Sequence, residues 1–318
     1  MKSTHRVEVV PVKLESHPNA DSLSIVRIYG YTCCVRTADW KDGDLAAYIP
    51  PDSVVPQTPD FAFLGDHRRI KVRKMRGRVS QGLLMPAPPG SMIGDDVAEV
   101  MGITHYEPPE PMSVGGDNEK PPDGFRPVYD VEGFYRYGHL FVEGEPVYVS
   151  EKIHGASGRF CWQDGRMHCG SRTTWKKEDA TSVWWKVLPE CPWLIDFCKS
   201  HPEQTVYGEV FGVQDLKYGK SKGQVGFAVF DLLRGNEWVS VSEIKSLGWD
   251  KVLAWCPTVY EGGFQMEKLL ALAEGQSLVS GANHIREGVV VKPLVERTDP
   301  EIGRVQLKIV SNTYLEKA

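Results

Sequence analysis

The sequence predicts an α+β protein of two domains, a small β-barrel followed by a larger domain that mixes strands and helices. Three observations carry this. The chain has 318 residues, and at about 150 residues per domain that length suggests roughly two. Short runs of β-forming residues, separated by turn residues, crowd the first hundred positions. One stretch, Glu107 to Phe125 (EPPEPMSVGGDNEKPPDGF), gives up apolar periodicity to Pro, Gly and acidic residues and reads as a linker. The expected domains are therefore 1–106 and 126–318, joined by 107–125.

In the first domain the strand runs are Val7–Val10, Ser24–Ile28, Thr32–Val35 and Ala46–Ile49. Pro18-Asn19, Gly30, Asp42-Gly43-Asp44 and Pro50-Pro51 punctuate them. Ile70 to Arg78 adds a basic strand and turn, and Leu83–Met85 another strand. Such spacing fits a small barrel or sandwich, and the OB-fold is one such barrel, common as an oligonucleotide platform. In the second domain Pro146–Val149 and Gly158–Trp162 read as strands around a turn. Val206–Phe211, Val225–Asp231 and Glu287–Lys292 are further strands. Met266, Leu269, Leu270 and Ala273 recur at helical spacing, which predicts a helix over 265–280 packed on a sheet.

Composition narrows the function. With 37 Lys+Arg against 42 Asp+Glu the net charge is -5, so the chain does not coat nucleic acid by bulk charge, although a local basic groove remains open. Hydrophobic content of 41% and charged content of 25% are those of a globular protein with a core. There is no apolar run of about 18 residues, hence no expected membrane span or membrane partner. Seven cysteines without a regular framework, and no C-x-x-C pair, argue against a secreted disulfide scaffold and a structural zinc site. A cytoplasmic, reduced protein is expected.

Familiar nucleotide motifs are missing. Gly219-Lys220-Ser221 resembles the end of a P-loop, but the required first glycine would fall at Gln214. No strand-linked G-x-G-x-x-G and no G-x-S-x-G occur. A different lysine stands out in Glu151-Lys152-Ile153-His154-Gly155, which follows an apolar strand and ends in a glycine turn. An amine there is a nucleophile only if desolvation or a nearby cation strips its proton, because a free lysine titrates near about 10.4. Read alone, the segment is more simply a surface lysine in a hairpin.

Downstream residues change the balance. Ser171-Arg172 lies 20 residues after Lys152, and Glu209 sits in a strand 57 residues after it. Phe230-Asp231 ends another strand, Glu287 opens E-G-V-V-V-K with Lys292 five residues on, and Lys308 comes late. Taken singly, Phe230 could be core, Glu209 and Glu287 edge-strand charges, and Arg172 a surface ion-pair partner. Together they fit nucleotidyl transfer to an amine: an aromatic face for a purine, groups for ribose, cations for phosphate and carboxylates for a hard divalent cation.

The order K-x-H-G, S-R, G-E-V-F-G, F-D, E-G-V-V-V-K and L-K resembles that of the covalent lysine nucleotidyltransferases, which include ATP-dependent RNA ligases, DNA ligases and capping enzymes. His154, where most members have aspartate, looks like the RNA ligase branch of the Deinococcus type, which also places an OB-like module first. The resemblance implies a nucleotidyltransferase (ATP-grasp-like ligase) domain behind a nucleic-acid-binding OB-like domain. It implies ATP and Mg2+ or Mn2+ as cofactors, and RNA or an RNA-containing nicked duplex as partner. A monomer is expected.

Carried over by position, the resemblance makes Lys152 the residue that takes AMP. It gives Glu151 the adenine amino group, Arg172 and Glu209 the ribose, and Phe230 the adenine face. Glu287, with Glu209, would bind metal, and Lys292 and Lys308 the phosphates. One departure is Gln306, where the late element often has a first lysine, so that Lys308 would act alone. The rival readings are a GTP-using capping guanylyltransferase, disfavoured because its OB module usually comes last, and a non-catalytic RNA-binding protein. In the first domain, His17-Pro18-Asn19-Ala20-Asp21-Ser22-Leu23 and Arg73 to Gly82 resemble OB-type tRNA-binding domains attached to some synthetases. Arg68, Arg69, Lys71, Arg73, Lys74, Arg76 and Arg78 form a strip that can bind phosphates or simply protect an edge strand. Trp175-Lys176-Lys177 reads either as a nucleic-acid contact or as a loop anchor.

Overall fold

Short apolar strands dominate both halves of the computed structural model, which describes residues 5–106, 118–124, 126–127 and 130–317. The chain divides into two units. One holds the residues up to Pro108 with Phe134–Arg136 and the segment from Asn312 onward; the other holds the stretch up to Gly133 and Tyr137–Ser311. Of the expected linker, 107–117 and 125 lie outside the described residues. Its later part is not loop throughout: Asn118–Glu119 pairs antiparallel with Trp175–Lys176.

The strands of the first unit are β1 (Glu8–Pro11), β2 (Leu23–Ile28), β3 (Tyr31–Arg36), β4 (Leu45–Ile49), β5 (Arg73–Met75), β6 (Arg78–Ser80) and β7 (Leu83–Pro86). β4 lies between β1 and β7, and β2 pairs with β3. Residues of β1 and β4 are buried on both faces. Val10, Ala46 and Tyr48 join the cluster of Val26, Ile28, Val35 and Leu84. Val9, Ala47 and Ile49 face a second cluster with Phe61, Ile70, Val97 and Ile103, supplied by the long connections around them. That double burial explains why these runs are continuous rather than alternating in hydrophobicity.

β5 and β6 form a hairpin with Met75 opposite Arg78. Its two-residue turn places Arg76 at φ 47° and Gly77 at φ 84°, as a tight hairpin of right-handed twist demands. The His17-Pro18-Asn19 motif grips this turn. Asn19 Nδ2 donates to the Arg76 carbonyl at 2.9 Å, and Asn19 N donates to His17 Nδ1 at 3.1 Å. Nδ1 is thus an acceptor, which leaves Nε2 to donate to the Met75 carbonyl at 3.2 Å.

In the second unit the strands are β8 (Pro146–Lys152), β9 (Gly155–Gln163), β10 (Arg166–Gly170), β11 (Gln204–Phe211), β12 (Gly226–Arg234), β13 (Thr258–Gly263), β14 (Gly288–Pro293) and β15 (Leu307–Val310). They make two sheets. A seven-stranded sheet runs Asn118–Glu119, Trp175–Lys176, β10, β9, β11, β12, Glu237–Trp238. A five-stranded sheet runs Glu132–Gly133, β15, β14, β8, β13. Between β8 and β9 the chain crosses from the smaller sheet to the larger through Ile153 and His154 alone. Behind the larger sheet, helix α1 (Pro192–Ser200) and the Trp184 region cover Phe160, Val206, Val210, Phe227 and Leu232 in the main core. The predicted helix over 265–280 is shorter, α3 (Met266–Leu272), following α2 (Val241–Ser246). Gly275 at φ 118° turns the chain out of the helix, and the residues beyond it leave to meet Glu151.

Candidate active site

Lys152 is the last residue of β8, and the two-residue crossover begins at its carbonyl. Glycine follows in the motif because of crowding rather than turn geometry: a Cβ on Gly155 would stand 2.2 Å from the Val210 carbonyl oxygen of β11. The expected glycine turn is therefore the first residue of β9, pressed against its neighbour. This close approach brings Glu209 of β11 alongside Lys152.

A cavity of about 210 Å³ opens between the two sheets of this unit. Its lining includes all of Glu151, Lys152, Arg172, Glu209, Phe230, Lys292 and Lys308. Lys152 Nζ donates to Glu287 Oε1 at 2.6 Å, although the two residues are 135 positions apart. Glu287 Oε2 is buried without a hydrogen-bond partner, with His154 Nδ1 at 3.7 Å. Burial works to raise the Glu287 pKa, but the Lys152 charge, helped by His154, outweighs it and holds the carboxyl below its ordinary value. Glu209 goes the other way. Burial, opposed by Lys152 and reinforced by Glu287, pushes its pKa up to about 8. The two carboxyls are thus shifted in opposite directions.

Phe230 owes its position to a β-bulge. Tyr207 faces Asp231 and Gly208 faces Val229, so Phe230 is the extra residue of β12. The bulge directs Phe230 to the cavity, whereas Val229 enters the core and Asp231 is buried. Arg172 Nη1 lies 3.4 Å from Asp130 Oδ2 and Lys308 Nζ lies 3.9 Å from Asp130 Oδ1. An exposed carboxylate between two cations is a weak, replaceable arrangement.

Two predicted residues have their polar atoms already engaged. The Glu151 carboxylate, 1% exposed, accepts from the Ser277 hydroxyl and the Leu278 amide, both at 2.6 Å. The side chain expected to meet an adenine amino group therefore also holds the 277–278 segment. Lys292, expected on phosphate, donates to Asp231 Oδ1 and to the Phe230 carbonyl, both at 2.6 Å. Arg304 also donates to Asp231, at 3.0 and 3.1 Å. Burial alone would raise the Asp231 pKa, but Arg304 and Lys292 overcome it and bring it to about 2. Lys292 and Arg304 secure the bulge from behind.

The residues fit a divalent cation in a limited sense. Glu287 has an orphaned buried oxygen and Glu209 stands beside it. Among the described residues no group of three or more His, Cys, Asp or Glu forms a metal cage. Two carboxylates that leave positions for water and substrate phosphates suit Mg2+ or Mn2+ better than a closed site would.

The RNA ligase family model matches residues 145–310, more than half of the chain. The chain belongs to the RNA ligase family. An OB-fold domain model matches residues 6–87. Among solved structures, a mutant of Naegleria gruberi RNA ligase with ATP and Mn is 24% identical over 98% of each chain, with a TM-score of 0.82. An apo mutant of an RNA ligase from the same organism is 25% identical over 98% of each chain, at 0.81. A Naegleria gruberi RNA ligase with PPi is 24% identical over 99% of each chain, at 0.81. The two-domain fold, an OB-fold domain and then a ligase domain, is shared with them. No curated protein matches the chain.

Several residues in or behind the cavity were not assigned by sequence reasoning. Arg159 is 3% exposed, donates to the Ser171 carbonyl at 2.9 Å and lies 4.8 Å from the Trp175 ring. Its signal in the sequence is an arginine inside the apolar strand Gly158–Trp162. Trp175 itself is buried under Arg159, which settles it as an anchor rather than an exposed contact. Asp231 is legible only as an acid beside an aromatic, and Arg304 has no signal. Gln306 is 3% exposed, lines the cavity and leaves its Nε2 without a partner. No described helix is long and apolar enough to cross a membrane.

Proposed function

We infer that the protein is an ATP-dependent RNA ligase working through a covalent Lys152–AMP intermediate. The observation that carries this is the cavity that gathers Lys152, Arg172, Glu209, Phe230 and Lys308 from separate strands and a loop of the family's matched region. The related Naegleria structures hold ATP, AMP and Mn, which supports the same nucleotide and a divalent cation here.

In the first step the neutral Lys152 amine attacks the α-phosphorus of ATP. A P–N bond forms, the bond to diphosphate breaks, and the amine's proton is lost to solvent. In the second step AMP passes to an RNA 5′-phosphate, and in the third a 3′-hydroxyl displaces AMP to seal the strand. Lys152 becomes nucleophilic when its ion pair with Glu287 opens and its proton has left. Phe230 offers a face for adenine, and Arg172 and Glu209 offer partners for ribose hydroxyls. Lys308 and Arg172 can exchange Asp130 for phosphate oxygens. Glu287 and Glu209 would hold a divalent cation, whose charge would offset that of the phosphates.

The first unit would bind the RNA. Its first 106 residues carry 13 basic and 12 acidic side chains, yet seven of the basic ones fall in 68–78 and no acid occurs from His67 to Gly94. Lys71, Arg73, Lys74, Arg76 and Arg78 are exposed on or beside the gripped hairpin. Phosphate contacts of that kind set register without reading sequence. The ligase chemistry lies within one unit of one chain, so a monomer suffices, and seven free, buried cysteines suit a reducing cytoplasm.

The test is incubation with labelled ATP and Mg2+ or Mn2+, followed by sealing of nicks that differ in the 3′-strand sugar. Wild type should form a protein–AMP adduct and require ribose for sealing. No adduct, or full labelling of Lys152→Ala, would defeat the reading; labelling by GTP in preference to ATP would favour a capping enzyme.

A further inference from the structure

Between β11 and β12 the chain makes a loop, residues 212–225, that the nucleotide site does not use. Three of its residues, Gln214, Tyr218 and Gly219, gain their meaning in combination. Tyr218 is 1% exposed and stands at φ 49°, a left-handed conformation that residues with a Cβ rarely adopt. Its hydroxyl accepts a hydrogen bond of 2.7 Å from the backbone amide of His154. Gln214 Nε2 donates, also at 2.7 Å, to the carbonyl of Gly155. The loop therefore holds the crossover at the His154 amide and, directly after it, the first residue of β9 at its carbonyl.

The loop is itself braced. The Tyr218 ring packs against Phe211 at 5.3 Å and edge-on against His284 at 4.5 Å. It shares a buried cluster with Ile153, the other crossover residue. Gly219 follows at φ 73°, where a Cβ would come within 2.8 Å of the Gly281 carbonyl oxygen. A rare backbone conformation persists only when surrounding contacts impose it, and such residues concentrate where geometry matters to function. Burial pushes the Tyr218 hydroxyl pKa well up, so it stays protonated at working pH.

The geometry points to Tyr218 as a positioning residue for the nucleophile: by pinning the His154 amide it fixes the crossover and thereby the direction in which Lys152 enters the cavity. Gln214 holds the adjoining carbonyl of Gly155, where β9 begins. Lys152 ends a strand and has only two residues before the next sheet, so displacement at His154 is passed to its Cα with little slack. In-line attack on phosphorus is sensitive to such displacement.

This inference rests on the ligase reading for its kinetic test, but not for its structural one. Tyr218→Phe keeps the ring and removes the acceptor. The rate of protein–AMP formation at saturating ATP should fall about tenfold, with the KM for ATP little changed. The adduct amplitude, which counts active molecules, should match wild type; simple misfolding would lower the amplitude instead. Amide hydrogen exchange at His154 should speed up by about the same factor. If Tyr218→Phe does not fold, Gln214→Ala provides the second arm and should slow the same step less. A variant that charges at the wild-type rate, or an unchanged His154 exchange rate, overturns the inference. If wild type forms no adduct, the ligase reading fails, while the exchange measurement still judges the Tyr218 bond by itself.

Discussion

The two units deploy charge in opposite ways. In the ligase unit the charges that secure the Phe230 bulge are buried and matched: Lys292 and Asp231 have side chains 5% and 4% exposed, and Arg304 stands at 9%. In the OB-fold unit the basic hairpin is exposed, and its Lys74 reaches Glu316 only at 3.7 Å, with side chains 56% and 28% exposed. A buried charge has a fixed position and a strong field but a high desolvation cost. An exposed one is weak, screened and free to be traded for a partner's phosphate. The first arrangement serves to fix the strand that presents Phe230, the second serves holding a long polyanion.

The comparison breaks most sharply at Lys152. Lys152→Ala should abolish protein–AMP formation while leaving RNA binding by the hairpin intact, as measured by adduct labelling and by RNA titration on the same preparation. If RNA binding were lost too, the division of labour would be wrong.

Next in size is Asp231→Asn, which takes the carboxylate from the buried Lys292 while Arg304 keeps its ion pair with Glu296. It should destabilise the protein by about 3–5 kcal/mol in denaturant unfolding. The pH dependence follows from the same group. Its folded pKa of about 2 lies below its ordinary value, so its stabilisation is present above pH ~4 and drains away as pH falls toward ~2. The acid limb of wild type should carry up to about 2–3 kcal/mol of that loss, and Asp231→Asn should flatten it.

The hairpin sharpens the contrast in solution conditions. Arg73→Ala, Arg76→Ala and Arg78→Ala combined should weaken RNA binding at every sequence tested. For every RNA phosphate that these arginines no longer neutralise, the slope of log affinity against log salt should become shallower by about 0.7–0.9. Adduct formation should not change. His17→Ala should loosen the turn and weaken RNA binding less than the triple change, with the salt slope preserved, because no charge is removed. Smallest of all, Lys74→Ala should alter stability by no more than about 1 kcal/mol.

Much of the fold is legible in the residues themselves. The β-runs at Ser24–Ile28, Thr32–Val35 and Val206–Phe211 fall inside observed strands, because β-branched and aromatic residues between turn formers specify extended chain locally. The residue types Lys152, Glu209, Phe230 and Glu287, in the order of the family they resemble, mark a chemistry, and the structure brings the first three to one cavity with Glu287 bonded to Lys152. The helix expected over 265–280 overruns its true end, since apolar spacing continues to Ala273 while Gly275 redirects the chain toward Glu151. The bulge that presents Phe230 leaves no local trace, because a bulge is a mismatch between two strands and neither strand encodes it alone.

Residue types and their order along the chain are enough to name the chemistry and to place many of the strands near their true bounds. They do not say which polar atoms stay open to a ligand. Glu151 is engaged by Ser277 and Leu278, Lys292 by Asp231, while Glu287 retains an oxygen without a hydrogen-bond partner. Local propensity acts over a few residues, whereas a hydrogen bond between positions 126 or 135 apart forms only where packing of whole sheets brings them together. Whether a charged side chain works on substrate or on the protein itself is therefore a property of the assembled core.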